Sequence, residues 1–404
     1  MTAYDTVITA EQACDPLSDF SGPASIGLKD GKIEHFSAGL NSSLEAESKI
    51  HFDTQLVCPG FIDLHVHVYE WVTNFGIAPD LAGIYSGATT IVDQGSSGPW
   101  TVGGFEAFIQ KEALTDVRCF VSANLAGALM GGMEGTTLHG PHMTRIEEVA
   151  KAYERYPELI CGIKSHGESG GLSHWDMEVL TQAVEAGDDC GIPLYVHTGE
   201  LFPVNDDNRP VPKSVLEKTL AVVRPGDVIA HVYSNMPDGV VGQSIEVPAA
   251  VKAAYERGVK FDIGYGINFS YRIARMMLEQ GYPPHAISSD LHGDFNAYHD
   301  LSKLDYSLAG ALNRLLGLGM PMADAIKCLT YTPAVILKSE DKIGTLAAGS
   351  IADITILEPQ SGDYEMKDAE GETLSLSEVW VPVQVFKDGR RYQTDRKMFP
   401  DLMQ

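Results

Sequence analysis

Two histidines separated by one residue close an apolar run, Asp63-Leu64-His65-Val66-His67. On a strand, residues i and i+2 share a face, so both imidazoles reach one ion. Later apolar runs end alike: Gly162-Ile163-Lys164-Ser165-His166, Tyr195-Val196-His197, Ala230-His231 and Ser288-Ser289-Asp290. Taken singly, each has an ordinary reading. A strand-end histidine is a hydrogen-bonded rim group, an aspartate caps a helix, and a lysine snorkels or pairs. Their co-occurrence at five strand ends favours one shared centre. Four neutral imidazoles and a carboxylate suit Zn²⁺ or a similar divalent ion. A cationic lysine ligates nothing. A deprotonated Lys164 amine that has taken up CO2 is a carbamate, an anionic bridge between two metals ~3.5–4 Å apart. Such metals lower the pKa of a shared water toward ~7, giving a nucleophile at neutral pH. Asp290 would bind one metal, accept a proton from that hydroxide and deliver it to the leaving group, while the other metal polarises the substrate carbonyl.

These residues need elements to position them. Apolar, β-branched runs cover 57–67, 89–94, 117–124, 159–166, 192–198, 228–233, 259–265 and 286–291. Amphipathic or Ala-rich stretches alternate with them at 105–114, 145–156, 175–190, 214–223, 247–257 and 271–280, and two more follow at 300–316 and 322–329. This is the count of an α/β fold of the (β/α)8 TIM-barrel kind, which carries its site at the C-terminal strand ends. A doubly wound sheet would show a glycine fingerprint after strand one, where the histidine pair stands instead. Residues 1–56 and 342–404 show short alternating stretches broken by Gly, Asp and Pro, ending in the hairpin signal Asp388-Gly389. The expected organisation is a barrel over 57–341 and a small β-sandwich domain built from both chain ends.

Composition bounds the partners. The chain has 404 residues, 44% hydrophobic and 21% charged, enough apolar material for a large core. No apolar run reaches the ~18 residues of a membrane helix, and no signal peptide is visible. The formal net charge of −26 repels phosphate backbones, which argues against nucleic acid and anionic membranes. Six scattered cysteines with no C-x-x-C pair read as free thiols of a reducing cytoplasm.

The run Pro59-Gly60-Phe61-Ile62-Asp63-Leu64-His65-Val66-His67 resembles the opening strand of the amidohydrolase superfamily. The run Asp341-Lys342-Ile343-Gly344-Thr345-Leu346-Ala347-Ala348-Gly349-Ser350-Ile351-Ala352-Asp353 resembles its closing signature. The strand ends between them match in order. The resemblance implies a binuclear hydrolase with a carboxylated Lys164, in which His65 and His67 bind the more buried metal with Asp290, and His197 and His231 bind the more exposed one. It also implies a homo-oligomer. In dihydroorotase an arginine stands two residues after the second strand-one histidine; Tyr69 occupies that place here, which argues against the orotate reaction. The segments Thr90-Ile91-Val92-Asp93-Gln94-Gly95-Ser96-Ser97-Gly98 and Phe261-Asp262-Ile263-Gly264-Tyr265-Gly266 are similar to the dihydroorotase-like "amidohydrolase/deacetylase" group. That group implies amide or ester hydrolysis of a small carboxylate-bearing substrate, an acylated α-hydroxy or α-amino acid or a cyclic amide. Its strand-seven turn typically reads Gly-His-Gly; here Tyr265 replaces the histidine.

Substrate contacts are expected from His292, Tyr265 and Asn268, although His292 reads equally as a partner of Asp290. Arg272 is a candidate carboxylate anchor. His139, His142 and Arg145 lie at or after the end of a Gly-rich loop, 127–140, that could act as a lid, although plain solvation is the stronger reading; His166 and His174 flank a flexible turn and are given no role. The alternative is a mononuclear nucleobase-type deaminase of the same superfamily, with Glu200 as proton shuttle; Lys164 weighs against it. A scaffold that has lost its metals is disfavoured, because all six ligand positions are present.

Overall fold

The computed structural model describes residues 4–129, 139–201, 214–266, 268–294, 304 and 306–403. The chain begins with β1 (Tyr4–Asp15), β2 (Phe20–Lys29), β3 (Lys32–Ala38) and β4 (Ala46–Pro59). There follow β5 (Phe61–Val66), β6 (Ala88–Gln94), β7 (Asp116–Ser122), β8 (Ile160–His166), β9 (Leu194–His197), β10 (Val228–Ile229) and β11 (Lys260–Phe261). The last strands are β12 (Ile354–Lys367), β13 (Thr373–Lys387) and β14 (Arg390–Gln393).

Strands β5 to β11 pair in chain order, all parallel. Every residue of β5 and β6 is buried, as the continuous apolar runs require of a sheet covered on both faces. The helices between them turn small and branched residues inward; Glu178–Cys190 buries Leu180, Ala183 and Ala186, one stripe of its surface. The expected eighth strand, 286–291, is not a strand. It makes single parallel bridges, Asp262 to Ala286 and Val66 to Leu291, one toward each end of the sheet. The runs 228–233 and 259–265 likewise give only two-residue strands. The cause is local. His231 and Asp290 both take φ 58, and Gly264 and Gly266 are also left-handed. Ser289 N then donates to Asp63 Oδ1 and Gly264 N to Ser288 Oγ, side-chain acceptors in place of ladder carbonyls. Non-glycine residues held left-handed concentrate at functional positions.

The remaining strands form one mixed sheet in the order β14-β13-β12-β4-β1-β2-β3. Both chain ends enter it, since β4 pairs parallel with β1 and antiparallel with β12. The strands expected to make a small sandwich pair in one continuous ladder, with register shifts at which strands bend. Its core gathers Ile8, Ile26, Leu28, Ile33, Phe52, Ile354, Ile356 and Phe386. Residues 57–59, expected to open the first barrel strand, pair here with β12, and the chain leaves this sheet at Gly60. Asp388 and Gly389, at φ 51 and 74, close a two-residue hairpin between Lys387 and Arg390.

The stretch 105–114 is a π-helical turn, Glu106–Gln110, rather than an α-helix. The stretch 300–316 yields the helix Leu308–Gly317; positions 300–303 and 305, like 130–138 of the Gly-rich loop, lie outside the described residues. All six cysteines are free, with Cys161 and Cys190 half-buried. Among the described residues no helix is long and apolar enough to cross a membrane.

Candidate metal centre

The parallel sheet delivers the strand-end residues to one place. His65 and His67 leave β5 on the same face, with Nε2 atoms 3.1 and 3.5 Å from Asp290 Oδ1. One ligand-type atom from each of the three lies within 4.8 Å of the others. The backbone holds this trio: Asp290 N donates to His65 O at 2.8 Å, and Asp63 Oδ1 accepts from Ser289 N and His65 N. His197 ends β9, and its ring centre lies 4.5 Å from that of His231, which in turn lies 5.2 Å from His65. Lys164 projects from β8, its Nζ 4.6 Å from the Tyr195 ring centre. That Nζ is buried and has no hydrogen-bond partner.

Hydrogen bonds to ring nitrogens fix which atoms are available. His231 Nδ1 lies 2.8 Å from Gly264 O; a carbonyl only accepts, so Nδ1 carries the hydrogen and Nε2 the lone pair. His67 Nδ1 contacts Ser96 Oγ at 3.0 Å, which leaves its Nε2 toward Asp290. Burial pushes His65 and His197 well below the usual imidazole range and lowers His231, which favours the neutral form that ligation requires. Burial alone would raise the Asp290 carboxyl, but His65, His67, His231 and His292 together hold it well below its ordinary value. Lys164 is lowered to about 8, chiefly by burial, which brings the uncharged amine within reach at neutral pH.

A cavity of about 320 Å³ opens beside these groups. All six expected ligands line it, and so do Tyr265, Asn268, His292 and Glu200. His166, given no role above, lines it too. Its signal was in plain view: it stands two residues after Lys164, the spacing that put His65 and His67 on one face. His139 sits instead in a small adjoining cavity with His166 and Trp175, and burial lowers it to about 4. His142 and Arg145 are exposed. Arg272, the candidate anchor, is not among the residues lining this cavity; it pairs with Glu370 and the carbonyls of Gly242 and Ser244.

That pairing shows what holds the cavity wall. The tip of the β12–β13 hairpin reaches across from the mixed sheet. Asp368 accepts from Tyr271 N, the first residue of the helix Tyr271–Glu279, Glu370 accepts from Ser270 Oγ, and Ala369 N donates to Phe269 O. Arg275 pairs with Glu372. The loop carrying Tyr265 and Asn268 is thereby fixed by residues about a hundred positions away, which local patterning does not register. Asp368→Ala removes an acceptor at a helix N-terminus, a loss of about 1 kcal/mol. It is expected to raise KM several-fold with a smaller change in kcat, measured by steady-state kinetics alongside thermal melting.

A model of the amidohydrolase family matches residues 249–391. The chain is 26% identical to a deacetylase of Brucella anthropi over 88% of this chain and 84% of that protein. It is 27% identical to a deacetylase of Enterococcus faecalis over 96% and 99%. It also superposes on the crystal structure of an adenine deaminase with TM-score 0.82 and 26% identity, covering 97% of this chain and all of the other. With an α/β fold that gathers a His-His-Asp group able to bind metal, these likenesses define a metal-dependent hydrolase. More particularly, the chain carries a match to the amidohydrolase family over 249–391, and the relatives and solved structures it resembles are of the amidohydrolase superfamily.

Proposed function

We propose that the protein is a binuclear hydrolase that cleaves an amide or ester bond in a small carboxylate-bearing substrate, an acylated α-hydroxy or α-amino acid or a cyclic amide. The observation that carries this reading is Lys164. A lysine amine buried without a partner is costly in a finished fold. The cost disappears if the neutral amine adds to CO2, forming an N–C bond and releasing a proton, because the resulting carbamate oxygens can bridge two cations. The donor set fits such a pair: neutral imidazoles and an ionised carboxylate suit Zn²⁺. His65, His67 and Asp290 would hold one ion, His197 and His231 the other, with modified Lys164 between. Bound there, the ions supply an activated water and a Lewis acid for the substrate carbonyl. Two single parallel bridges at 286–291 favour closure of the sheet as a (β/α)8 barrel over 57–341, with the centre at its mouth.

The chain's own groups do the rest. Asp290 Oδ1 faces His65 and His67, while Oδ2 lies toward Gly266, where a Cβ would come within 3.0 Å of it. Only glycine leaves that oxygen open at φ +39. Asp290 would accept the proton of the attacking water and pass it to the leaving nitrogen or oxygen. Tyr265, Asn268 and His292 would orient the acyl substrate from the wall. Its aromatic lining and half-enclosed volume suit a compact molecule.

A screen of the metal-loaded protein against N-acyl amino acids, O-acyl hydroxy acids, cyclic imides and purines tests the reading. Hydrolysis of one of the first three, with about two metals per chain, is the expected result. With that substrate, Asp290→Asn should lower kcat about 10²–10⁴-fold at little cost in KM. The second reading is a mononuclear deaminase with Glu200 as proton shuttle, favoured by the overall likeness to an adenine deaminase. Ammonia release from a purine at one metal per chain would establish it and overturn the first.

A further inference from the structure

Beneath the candidate ligands lies a buried polar cluster that the proposed reaction does not use: Tyr195, Asp262 and Ser288, all with no solvent exposure. Tyr195 Oη is 2.5 Å from Asp262 Oδ2 and 3.0 Å from His65 Nδ1. Ser288 Oγ donates to the same carboxylate oxygen at 2.7 Å. A phenol has one proton, and a carboxylate only accepts, so that proton points to Asp262. The Tyr195 oxygen is left to accept from His65, whose Nδ1 therefore carries hydrogen. The His65 lone pair is then on Nε2, the atom 3.1 Å from Asp290 Oδ1.

The same carboxylate reaches the other half of the centre. Ser288 Oγ, its proton committed to Asp262, accepts from Gly264 N at 3.1 Å. Gly264 O accepts from His231 Nδ1. Gly264 stands at φ +46, and a Cβ there would come 2.8 Å from His231 Nδ1 and 3.2 Å from His65 Nδ1. The Tyr195 ring meanwhile carries Lys164 Nζ on its face. One buried acid is thus joined to His65 through a phenol, and to His231 through a serine and a glycine backbone.

We propose that Tyr195 and Asp262, with Ser288, are positioning residues that set the tautomer and ring orientation of His65 and His231, so that both half-sites are arranged before an ion arrives. This rests on the reading of those histidines as ligands. Partners of this kind, when removed, commonly weaken metal binding 10–100-fold. A purely space-filling role for the cluster would alter stability and leave ion capture unchanged.

Tyr195→Phe keeps the ring beneath Lys164 and deletes only the oxygen. The unaltered protein and the variants Tyr195→Phe, Asp262→Asn and Ser288→Ala are stripped, titrated with Zn²⁺, and followed for release to a chelator; the Co²⁺-loaded forms are compared by visible absorption. Zn²⁺ affinity about 10–100-fold weaker, faster release and a changed Co²⁺ spectrum are expected for Tyr195→Phe and Asp262→Asn. Ser288→Ala, which spares the Tyr195–His65 contact, is expected to show a smaller change and serves if the other two fail to fold by circular dichroism. Folded variants with affinity, release and spectrum equal to the unaltered protein overturn the inference while leaving the hydrolase reading intact. An unaltered protein that binds no ion overturns both.

Discussion

Lys164→Ala is expected to lose nearly all hydrolytic activity and to keep about one tightly held metal, against the two expected of the unaltered protein. The size follows from what the residue would do. A metal acting as Lewis acid contributes several kcal/mol to the transition state, and each 1.36 kcal/mol is tenfold, so the loss in kcat is about 10²–10⁴-fold. The fold should tolerate the change. Nζ makes no hydrogen bond, so the substitution strands no partner, and it removes a buried polar group that costs free energy unmodified. An unchanged or slightly higher melting temperature, together with lost activity, separates a chemical role from a structural one. Short carboxylic acids added to the variant would occupy the vacated space with a carboxylate and restore part of the rate. Full activity without them, or a metal content equal to that of the unaltered protein, defeats the bridging role. Metal content by mass spectrometry and steady-state kinetics supply the readouts.

Lys164 also shows what a single sequence makes legible. Strand ends are readable because buried parallel strands are long apolar runs, and a polar residue that closes one must face the end of the sheet. His65, His67, Lys164, His197, His231 and Asp290 all stand out by that rule, and all line one cavity. The rule also covers His166, two residues past Lys164. There a glycine turn follows, and a turn dilutes the apolar pattern. Strand length was less legible. The runs 228–233, 259–265 and 286–291 have strand composition, but the left-handed backbone at His231, Gly264 and Asp290 breaks the ladder. Nothing in an apolar run announces that a histidine or aspartate within it will take positive φ; beside those residues, Ser289 N turns to Asp63 and Gly264 N to Ser288 instead of to ladder carbonyls. The two ends of the chain were readable as β by their alternation and by Asp388-Gly389. Their union in one sheet was not, since it depends on pairing between β4 and β12, about three hundred residues apart. The place of Arg272 is illegible for the same reason: its carboxylate partner is Glu370, at the hairpin tip.

Asp401→Ala is expected to be the most destabilising single change outside the centre. Near the end of the chain, Asp401 packs against the start of the helix Leu308–Gly317. Its carboxylate accepts from Ser307 Oγ at 2.7 Å and from Arg314 Nη1 at 2.9 Å, with both charged side chains almost wholly buried. Burial sets the Asp401 carboxyl above its ordinary value, while Tyr265 and Asp401 favour the charged Arg314; a buried pair of this kind is weak evidence of net stability. Removing one member is another matter. The Arg314 charge would stay buried with Nε already lacking a partner, at a cost of about 3–5 kcal/mol. A fall in melting temperature on the order of 4–6 °C should follow. The double change Arg314→Met/Asp401→Leu removes both charges at similar volume and should be milder than Asp401→Ala alone; a double change as damaging as the sum of the two single ones would refute the account. The centre would register it too. Arg314 lies 5.0 Å from the Tyr265 ring centre, and Tyr265 stacks edge-on against Tyr306, whose hydroxyl donates to Asp290 O at 2.8 Å. Loosening Arg314 therefore frees the Tyr265 wall of the cavity and the backbone that carries Asp290, so the folded fraction of Asp401→Ala should show a raised KM before any loss of metal.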